Sequence, residues 1–331
     1  MSRRIAIVTG TDFPDLTAGG RALADALRDR GHEVVPAIWS AEEVDWRRFD
    51  CAVVRSCFGY YRDPAAFREW LTTVEDTGVT VCNPPEVIRW NVHKSYLTDL
   101  AARGVTTVET EVVVPDEDRE LASIIEERGW SEAVVKPAVG TSAAGVWRTT
   151  PETAAADQER FERRFPAARR VGGGTDDAEG GDEGGGDAGR LPDTGTLVQE
   201  YRPEVADGER SLVFVAGSFA HAWNSLRAPD ALGVEASPET VRVGDGYDPS
   251  VAVREDARAA LDAAADAVGI DRTDLAYARV DGVPIREGGD PAGLRVMELE
   301  LIEPTLHLHA EPASTAALAG VVDDCLAGDK R

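Results

Sequence analysis

Lysine is scarce in this sequence of 331 residues. Among its 35 lysines and arginines only three are lysines, and one of these, Lys330, lies next to the C-terminus. The two internal lysines are Lys94 and Lys136. An ammonium is a compact charge that reaches phosphate at a single point, whereas a guanidinium is a planar fork. Two internal lysines in a chain that otherwise uses arginine therefore indicate phosphate contacts, although chance composition would also explain them.

The sequence has few basic residues compared with its acidic residues. The 60 acidic residues outnumber the basic ones, and the formal net charge is -25. Such a charge disfavours nucleic acid and anionic membranes as partners, so we expect neither. The hydrophobic fraction of 43% is ordinary for a globular chain. The excess of acids therefore indicates a halophilic-type acidic surface over a normal core, or else an acidic surface that binds a partner.

The sequence has few cysteines and no long hydrophobic run. Its four cysteines show no C-x-x-C spacing, and Cys51 and Cys82 lie in apolar runs. This pattern predicts reduced thiols, mostly in the core of a cytoplasmic protein, rather than a disulfide framework. Arg3 and Arg4 precede only a short strand-like run, which does not have the pattern of a signal peptide. No run is long enough to predict a membrane-spanning helix.

Strands and helices alternate in the first quarter of the chain. The pattern predicts strands over residues 4–9, 33–38, 49–56 and 78–82 and helices over residues 19–30 and 64–74. This alternation is typical of a small parallel α/β domain, which we place at residues 1–85. The first strand leads into Gly10-Thr11-Asp12 rather than a G-x-G-x-x-G fingerprint, so the dinucleotide-binding motif is excluded.

Ligand-binding residues of a parallel sheet lie at the carboxyl ends of its strands. In this chain that rule selects Asp12, Arg55 and Ser56 as candidate substrate-binding residues. Structural salt bridges would account equally well for Asp12 and Arg55.

Each internal lysine lies in a predicted element. Residues 91–103 are expected to be helical with Lys94 in the first turn, and Lys136 ends a strand that begins at Ala133. Residues 138–145, which follow this strand, are mostly small. Their exposed amides could cradle a phosphate, as glycine-rich loops do, and an ordinary hairpin is the alternative.

Glycine runs interrupt the middle of the chain at residues 171–195. The other residues of this segment are mainly Asp and Glu, and almost none is apolar. A segment of this composition cannot bury enough apolar surface to fold, so we expect a disordered acidic insert rather than a domain.

An acidic strand is predicted near the C-terminus, from Arg295 to Pro304. Side chains alternate along a strand, so every second residue shares a face. We expect one face to carry Val296, Glu298 and Glu300, and the face that enters the core to carry Met297, Leu299 and Leu301.

A second predicted strand, residues 275–281, also ends in an acid. A turn within residues 282–293 would fold the two strands into a hairpin and bring Asp281 close to Glu298 and Glu300. Neighbouring carboxylates are costly to bury unless a cation lies between them. Three hard oxygen donors suit Mg²⁺, and the alternative is an edge strand that carries solvated acids.

Taken in order, several of these segments resemble motifs of the ATP-grasp superfamily of carboxylate–amine ligases. The similarity extends from about Val53 to Pro304 and points to the branch of bacterial glutathione synthetase, ribosomal-protein glutamyl ligases and the ureidoserine cyclo-ligase. The matching segments carry the two nucleotide lysines, the adenine hinge, the strand after it and the two metal strands: Trp90–Leu97, Val134–Pro137, Leu197–Pro203, Gly208–Val213, Tyr277–Asp281 and Met297–Pro304.

The resemblance implies an α/β fold of the α+β ATP-grasp type. A small parallel pre-ATP-grasp domain at residues 1–85 would be followed by two α+β subdomains that clamp ATP. These are a lid subdomain at residues 86–198, which contains the insert, and a catalytic subdomain at residues 199–331.

The resemblance also implies an activity. The enzyme would be an ATP- and Mg²⁺-dependent ligase that activates a small, amino-acid-like carboxylate as an acyl phosphate, which an amine then attacks to form a C–N bond. Its partners would be small-molecule carboxylate and amine substrates, and a homodimer is compatible with the sequence. Two Mg²⁺ ions are expected, and Mn²⁺ is an alternative.

The same resemblance implies roles for individual residues. The nucleotide would be bound by Lys94, Lys136, Gln199, Glu200, Tyr201 and Glu209. The metal ions would be held by Asp281, Glu298 and Glu300. The transferring phosphoryl group would be stabilised by the catalytic residues Arg210 and Arg279.

Three departures from the family pattern bear on function. His93 stands where this branch usually has Asp, Phe58-Gly59-Tyr60 replaces a Trp-Asp-Tyr-like run, and Trp223-Asn224-Ser225 replaces a segment in which lysine is common. These departures are compatible with nucleotide binding, and they bear on the acceptor substrate and on catalysis. Two alternatives therefore stay open: a catalytically reduced, ATP-binding regulatory or scaffold protein of the same fold, and a ligase that modifies the end of a protein or carrier.

Overall fold

The structure is a computed structural model. It describes residues 2–114, 119–141, 143–163, 195–226, 242–243, 247–288 and 290–328. Apart from Gly195, the predicted insert at residues 171–195 lies outside the described residues.

The described part contains α-helices and three sheets. The strands are β1 (Arg4–Thr9), β2 (Glu33–Ile38), β3 (Cys51–Ser56), β4 (Thr80–Cys82), β5 (Thr110–Val113), β6 (Ala133–Pro137), β7 (Trp147–Thr149), β8 (Thr196–Glu200), β9 (Glu209–Val215), β10 (Ser218–Leu226), β11 (Arg242–Val243), β12 (Tyr277–Glu287) and β13 (Asp290–Glu300). The helices are α1 (Ala18–Asp29), α2 (Pro64–Asp76), α3 (Pro85–Asn91), α4 (Tyr96–Ala102), α5 (Leu121–Arg128), α6 (Ala154–Glu162), α7 (Val251–Val268) and α8 (Pro312–Gly328).

The first sheet is parallel, with strand order β2-β1-β3-β4. Its central strands are buried on both faces, as is usual for parallel sheets covered by helices. Helices α1 and α8 share one core with it, and α2 contributes to the core on the other side. The α/β alternation predicted for this part of the chain is therefore confirmed. Helix α2 begins at Pro64, as predicted, and the Asp63 side chain caps it.

The other two sheets are mainly antiparallel. The second sheet has the order β5-β8-β6-β7 and packs against α5 and α6. The third has the order β11-β10-β9-β12-β13, and α7 lies against it. Helix α6 was not predicted, because its residues show only weak apolar periodicity.

Strands β12 and β13 form the predicted hairpin, and its register places the acids together. Asp281 lies opposite Glu298, and Arg279 lies opposite Glu300. The turn between the strands is much shorter than residues 282–293, since pairing continues to Glu287 and Asp290.

A β-bulge in β13 changes which residues share a face of the acidic strand, so the predicted faces are partly wrong. Asp281 pairs with Glu298 but the next residue, Gly282, pairs with Val296, so Met297 is an extra residue in β13. Val296 is consequently buried in the core, and Met297 lines the cleft beside Glu298. The expectation for these two residues was wrong because strict alternation cannot anticipate an inserted residue.

The predicted helix at residues 91–103 is also corrected. Helix α3 ends at Asn91 and α4 begins at Tyr96, so Lys94 lies in the break between two short helices. The Asn91 side chain donates to the Leu299 carbonyl in β13 and accepts from the Leu301 amide just after it, and the Lys94 amide donates to the Ala138 carbonyl at 2.7 Å. These tertiary hydrogen bonds replace those of a continuous helix.

Buried polar contacts fix the first sheet to the third. Asn83, at the end of β4, donates to the carbonyls of Tyr277 at 2.9 Å and Leu301 at 2.7 Å. The Tyr277 hydroxyl donates to the Ile302 carbonyl at 3.0 Å and contacts the carbonyl of Val54. The acidic strand is thereby held against the carboxyl ends of the parallel strands.

Two further expectations concern cysteines and membranes. The cysteines are free, and Cys51, Cys57 and Cys82 are buried, as predicted. None of the helices within the described ranges combines the length and apolar character needed to cross a bilayer.

Candidate active site

A cleft of about 250 Å³ lies between the second and third sheets. Residues of these two sheets, of the loop after β3 and of the break between α3 and α4 line it. The predicted site residues that it brings together are Lys94, Lys136, Gln199, Glu200, Tyr201, Glu209, Arg279, Asp281, Glu298 and Glu300. Both internal lysines and all three predicted metal ligands therefore face the same space.

Lys94 and Glu298 form an ion pair in this cleft. Burial opposes the charged form of Lys94, but the Glu298 carboxylate outweighs it and raises the pKa of the ammonium. Burial likewise opposes ionisation of Glu298, while Lys94 and Lys136 lower the pKa of its carboxyl. Both groups are therefore charged at neutral pH.

Arg279 joins the other two acids. Its guanidinium donates to Asp281 at 2.8 Å, contacts Glu300, and donates to the Thr305 carbonyl at 3.1 Å. Burial disfavours the guanidinium charge, but Asp281 and Glu300 raise its pKa, so Arg279 stays protonated.

The three acids fit a divalent cation by their donor chemistry. Burial raises the pKa of Glu300, and the neighbouring carboxylates of Asp281 and Glu298 raise it further, against the effect of Arg279. This repulsion marks an excess of negative charge that Mg²⁺ would relieve. Within the described residues, no three His, Cys, Asp or Glu side chains lie close enough together to hold a metal ion. Glu298 is paired with Lys94 and Glu300 with Arg279 instead.

Lys136 occupies the side of the cleft formed by the second sheet. Its ammonium donates to Gln199 Oε1 at 3.0 Å, and the amide nitrogen of Gln199 donates to Thr110 at 2.9 Å. These residues lie on the neighbouring strands β6, β8 and β5. Gln199, which is only 3% exposed, therefore fixes the position of the Lys136 side chain.

The predicted adenine hinge, Leu197–Pro203, covers most of β8 and the residues after it. The guanidinium carbon of Arg148 lies 3.7 Å from the ring centroid of Tyr201, which is a cation–π arrangement. Glu200 is paired with Arg202 at 3.1 Å. The hinge is thus held by side chains of the second sheet and of the link that leads to β9.

Four predicted site residues do not line the cleft. Arg210 contacts Asn224, donates to the Gly208 carbonyl at 3.0 Å and lies over the Tyr247 ring. Asp12 forms a half-exposed ion pair with Arg62 at 3.6 Å. The last two are Arg55 and Ser56, both buried at the end of β3.

Other residues of the cleft were not selected as site residues from the sequence. Trp223 drew attention only as a departure from the family pattern. Asn91 and Glu303 lie in matching segments but were not among the predicted site residues, and Thr305 and His307 lie outside those segments. All of them line the cleft.

Comparisons with known proteins agree with this arrangement. Residues 5–83 match the family model of the D-cycloserine synthetase DcsG N-terminal domain. Cycloserine biosynthesis protein DcsG of Streptomyces lavendulae is 31% identical over 299 residues, which covers 86% of this chain and 86% of that protein. This chain belongs to the DcsG family of ATP-grasp ligases.

Solved structures support the same family. The crystal structure of D-cycloserine synthetase DcsG has a TM-score of 0.81 and 26% identity, and the match covers 98% of this chain and 99% of that one. D-alanine–D-alanine ligase from Bacillus anthracis, complexed with ATP, shares the fold at a TM-score of 0.65 and 16% identity over 99% of both chains. As a member of the DcsG family, the protein is an ATP-dependent ligase that forms C–N bonds, and the predicted ATP-grasp architecture is confirmed.

Proposed function

We propose that the cleft binds ATP with Mg²⁺ and activates a small, amino-acid-like carboxylate as an acyl phosphate for attack by an amine. The observation that carries this proposal is the convergence of Lys94 and Lys136 with Asp281, Glu298 and Glu300 in one cleft. A carboxylate alone is a poor acyl donor because its leaving group would be oxide. Phosphoryl transfer from ATP removes that obstacle, and its catalysis depends mainly on positioning and charge neutralisation.

The nucleotide would lie between the second and third sheets. Lys94 and Lys136 would neutralise the α- and β-phosphates as compact cations. Glu200 and Tyr201 would offer backbone groups to adenine, and Glu209 would accept hydrogen bonds from the ribose hydroxyls. Gln199 would hold Lys136 in place, as its 3.0 Å contact indicates.

Asp281, Glu298 and Glu300 would hold two Mg²⁺ ions, with Mn²⁺ as an alternative. Bound there, the ions would offset the charge of the β- and γ-phosphates. Glu298 would exchange the Lys94 ammonium for the metal, which releases Lys94 to the phosphates. Arg279 would similarly move from Glu300 towards the transferring phosphoryl group.

Several finer points belong to the same proposal. A catalytic role for Arg210 requires its guanidinium to leave Asn224 and Gly208. Residues 138–145 would close over the phosphates and exclude water, which would hydrolyse the intermediate. Asp12, Arg55 and Ser56 would help to bind a substrate. Four other points also stay predictions: the three-part division of the chain, a cytoplasmic location, a salt-adapted surface and a homodimer.

The direct test is ADP release with Mg²⁺ and a panel of amino acids and dipeptides, at low and high salt. We expect release that depends on the added carboxylate and amine, together with a condensed product of matching mass. Tight ATP binding without turnover on any member of the panel would instead favour the regulatory or scaffold protein. The departures at Phe58 and at Trp223 are the features that keep this second candidate open.

A further inference from the structure

The segment that leaves β13 carries an acid, Glu303, whose backbone is fixed on both sides. The Ile302 carbonyl before it accepts a hydrogen bond from the Tyr277 hydroxyl at 3.0 Å. The Pro304 carbonyl after it accepts one from Arg55 at 2.6 Å. Both donors are buried. The fold therefore sets the position of Glu303, as a residue that acts on a substrate requires.

The carboxyl group of Glu303 has no partner of its own. The residue is only 7% exposed and lines the cleft, yet no hydrogen bond or ion pair from any residue that the structure describes reaches it. The acids before it on β13 are engaged, since Glu298 is paired with Lys94 and Glu300 with Arg279. A buried polar group without a partner is costly, so its presence calls for an explanation.

Neutralising Arg55 is not that explanation. The Nε and Nη1 atoms of Arg55 are buried and have no partner in the described part of the chain, and Arg55 lies outside the cleft lining. Burial lowers the pKa of Arg55, and the nearby Glu303 is among the groups that oppose this effect. The two side chains are thus close without being bonded, and Glu303 presents its carboxyl group to the cleft.

Charged and titratable groups from several elements surround Glu303. They are Lys94 in the break between α3 and α4, Arg279 on β12, Glu298 and Glu300 on β13, and Arg55, Cys57 and Tyr60 on and after β3. Burial, and then the charge of Glu300, raises the pKa of Glu303 to about 8. A general base works best when its pKa lies near the working pH, so this carboxyl group suits proton transfer near neutrality.

The proposed reaction needs a group that takes a proton. When a nitrogen attacks the acyl phosphate, a C–N bond forms, the C–O bond to the phosphoryl group breaks, and phosphate leaves with the bonding electrons. The nitrogen must also lose a proton. Lys94 and Arg279 cannot accept it, because neighbouring acids raise their pKa against the effect of burial and keep both protonated. Glu303 is a carboxyl group of the cleft that neither these cations nor the proposed metal site engages.

We propose that Glu303 is the general base of the condensation: a carboxylate oxygen accepts the proton of the nucleophilic nitrogen and later passes it to water. This inference rests on the proposed function, because it names a further catalytic residue for the same reaction. It also accounts for a buried carboxyl group that is held in place through its backbone alone.

Three variants separate a base from a structural residue. Glu303→Gln keeps the size of the side chain and removes the base. Glu303→Asp keeps a carboxylate but draws it back by one methylene group. Glu311→Gln is the matched control, since it makes the same change farther along the chain at a residue outside the cleft lining. Because no hydrogen bond of the described structure depends on the Glu303 carboxyl group, we expect all three to fold, which circular dichroism checks.

The test compares two products of the same activated carboxylate, using ATP, Mg²⁺ and the panel of amino acids and dipeptides. Hydroxylamine at high concentration traps an acyl phosphate as a hydroxamate without an enzyme base, whereas the condensed product needs one. We expect Glu303→Gln to form hydroxamate within about twofold of wild type but condensed product at least about 100-fold more slowly. Glu303→Asp should be intermediate and Glu311→Gln unchanged.

The pH dependence gives a second readout. Only the ionised form of Glu303 can accept a proton, so the rate of condensation by the wild type should rise with pH towards about 8. Hydroxamate formation should lack this rise, and so should the residual condensation by Glu303→Gln.

Several results would overturn the inference. Condensation at the wild-type rate in Glu303→Gln would do so, and so would an equal loss of hydroxamate and condensed product, since Glu303 would then act before the condensation. A wild type that forms hydroxamate but no condensed product on the panel would also contradict it. A wild type that forms neither product contradicts carboxylate activation itself, and the role of Glu303 falls with it.

Discussion

Lys94 and Glu298 are paired in the cleft although 204 positions separate them in the sequence. One residue comes from a break between two helices and the other from a strand beside a bulge. Each controls the charge of the other, since Glu298 raises the pKa of Lys94 and Lys94 lowers the pKa of Glu298, in both cases against the effect of burial. The proposed metal site and the proposed phosphate site are therefore coupled through this pair.

Glu298→Gln tests that coupling. The amide keeps the shape of the side chain but removes the charge that would hold Mg²⁺, so we expect turnover to fall at least about 100-fold, a loss typical of removing one electrostatic group from an active site. Nucleotide binding should weaken less, because Lys94 and Lys136 remain. ADP release measures turnover, and calorimetry with ATP measures nucleotide binding. Turnover at the wild-type rate would show that the metal assignment is wrong.

Gln199→Leu tests the positioning of the second lysine. The substitution removes the acceptor of Lys136 while keeping a buried side chain of similar size. A hydrogen bond to a charged group contributes about 1.5–3 kcal/mol, so we expect the KM for ATP to rise about tenfold or more with a smaller change in kcat. Thr110→Val is the control, because Thr110 contacts Gln199 from the side away from the lysine. An unchanged KM in Gln199→Leu would mean that Lys136 needs no support.

Glu303 should make stability depend on pH. Burial, and then the neighbouring charge of Glu300, raises the pKa of Glu303 from 4.5 to about 8. Between pH 4.5 and about 8, Glu303 is therefore protonated in the folded state and ionised in the unfolded state. The resulting stabilisation is complete below pH 4.5 and is lost as the pH rises through about 8.

Glu303→Gln removes this titration. Urea unfolding of the metal-free protein between pH 4.5 and 8 should show a smaller decline in the free energy of unfolding for the variant than for the wild type. Parallel curves for the two proteins would contradict a buried, protonated Glu303.

Arg55→Met tests how the first sheet is joined to the segment that follows β13. Arg55 is 6% exposed and donates to the Pro304 carbonyl at 2.6 Å, so the variant leaves that carbonyl without its partner. We expect a loss of about 1–3 kcal/mol in the free energy of unfolding, the cost of an unsatisfied buried acceptor. Arg62→Met is the control, since that side chain is 58% exposed and should change stability by about 0.5 kcal/mol or less. Similar losses in both variants would show that the Pro304 contact has no special role.

Much of the fold and site followed from local patterns. The parallel sheet, the hairpin and the grouping of Asp281 with Glu298 and Glu300 could be predicted because alternation and turn signals act over a few residues. The scarcity of lysine selected two residues that both line the cleft.

What could not be predicted depends on contacts between distant parts of the chain. The bulge at Met297 and the helix break at Lys94 follow from pairing with partners far along the sequence. The place of His307 in the cleft depends on such contacts as well, since Arg55, Arg279 and His221 bind the three carbonyls that precede it.

The contacts of Asn83 and Tyr277 have a mechanical consequence. Through them the first and third sheets share buried hydrogen bonds at several points, so moving one sheet against the other would break all of these bonds together. The backbone hydrogen bond from Lys94 to Ala138, which follows β6, joins the second sheet to the break between α3 and α4. We expect admission of ATP and release of ADP to involve motion of the second sheet over this rigid base, and Lys94 lies where the two are joined.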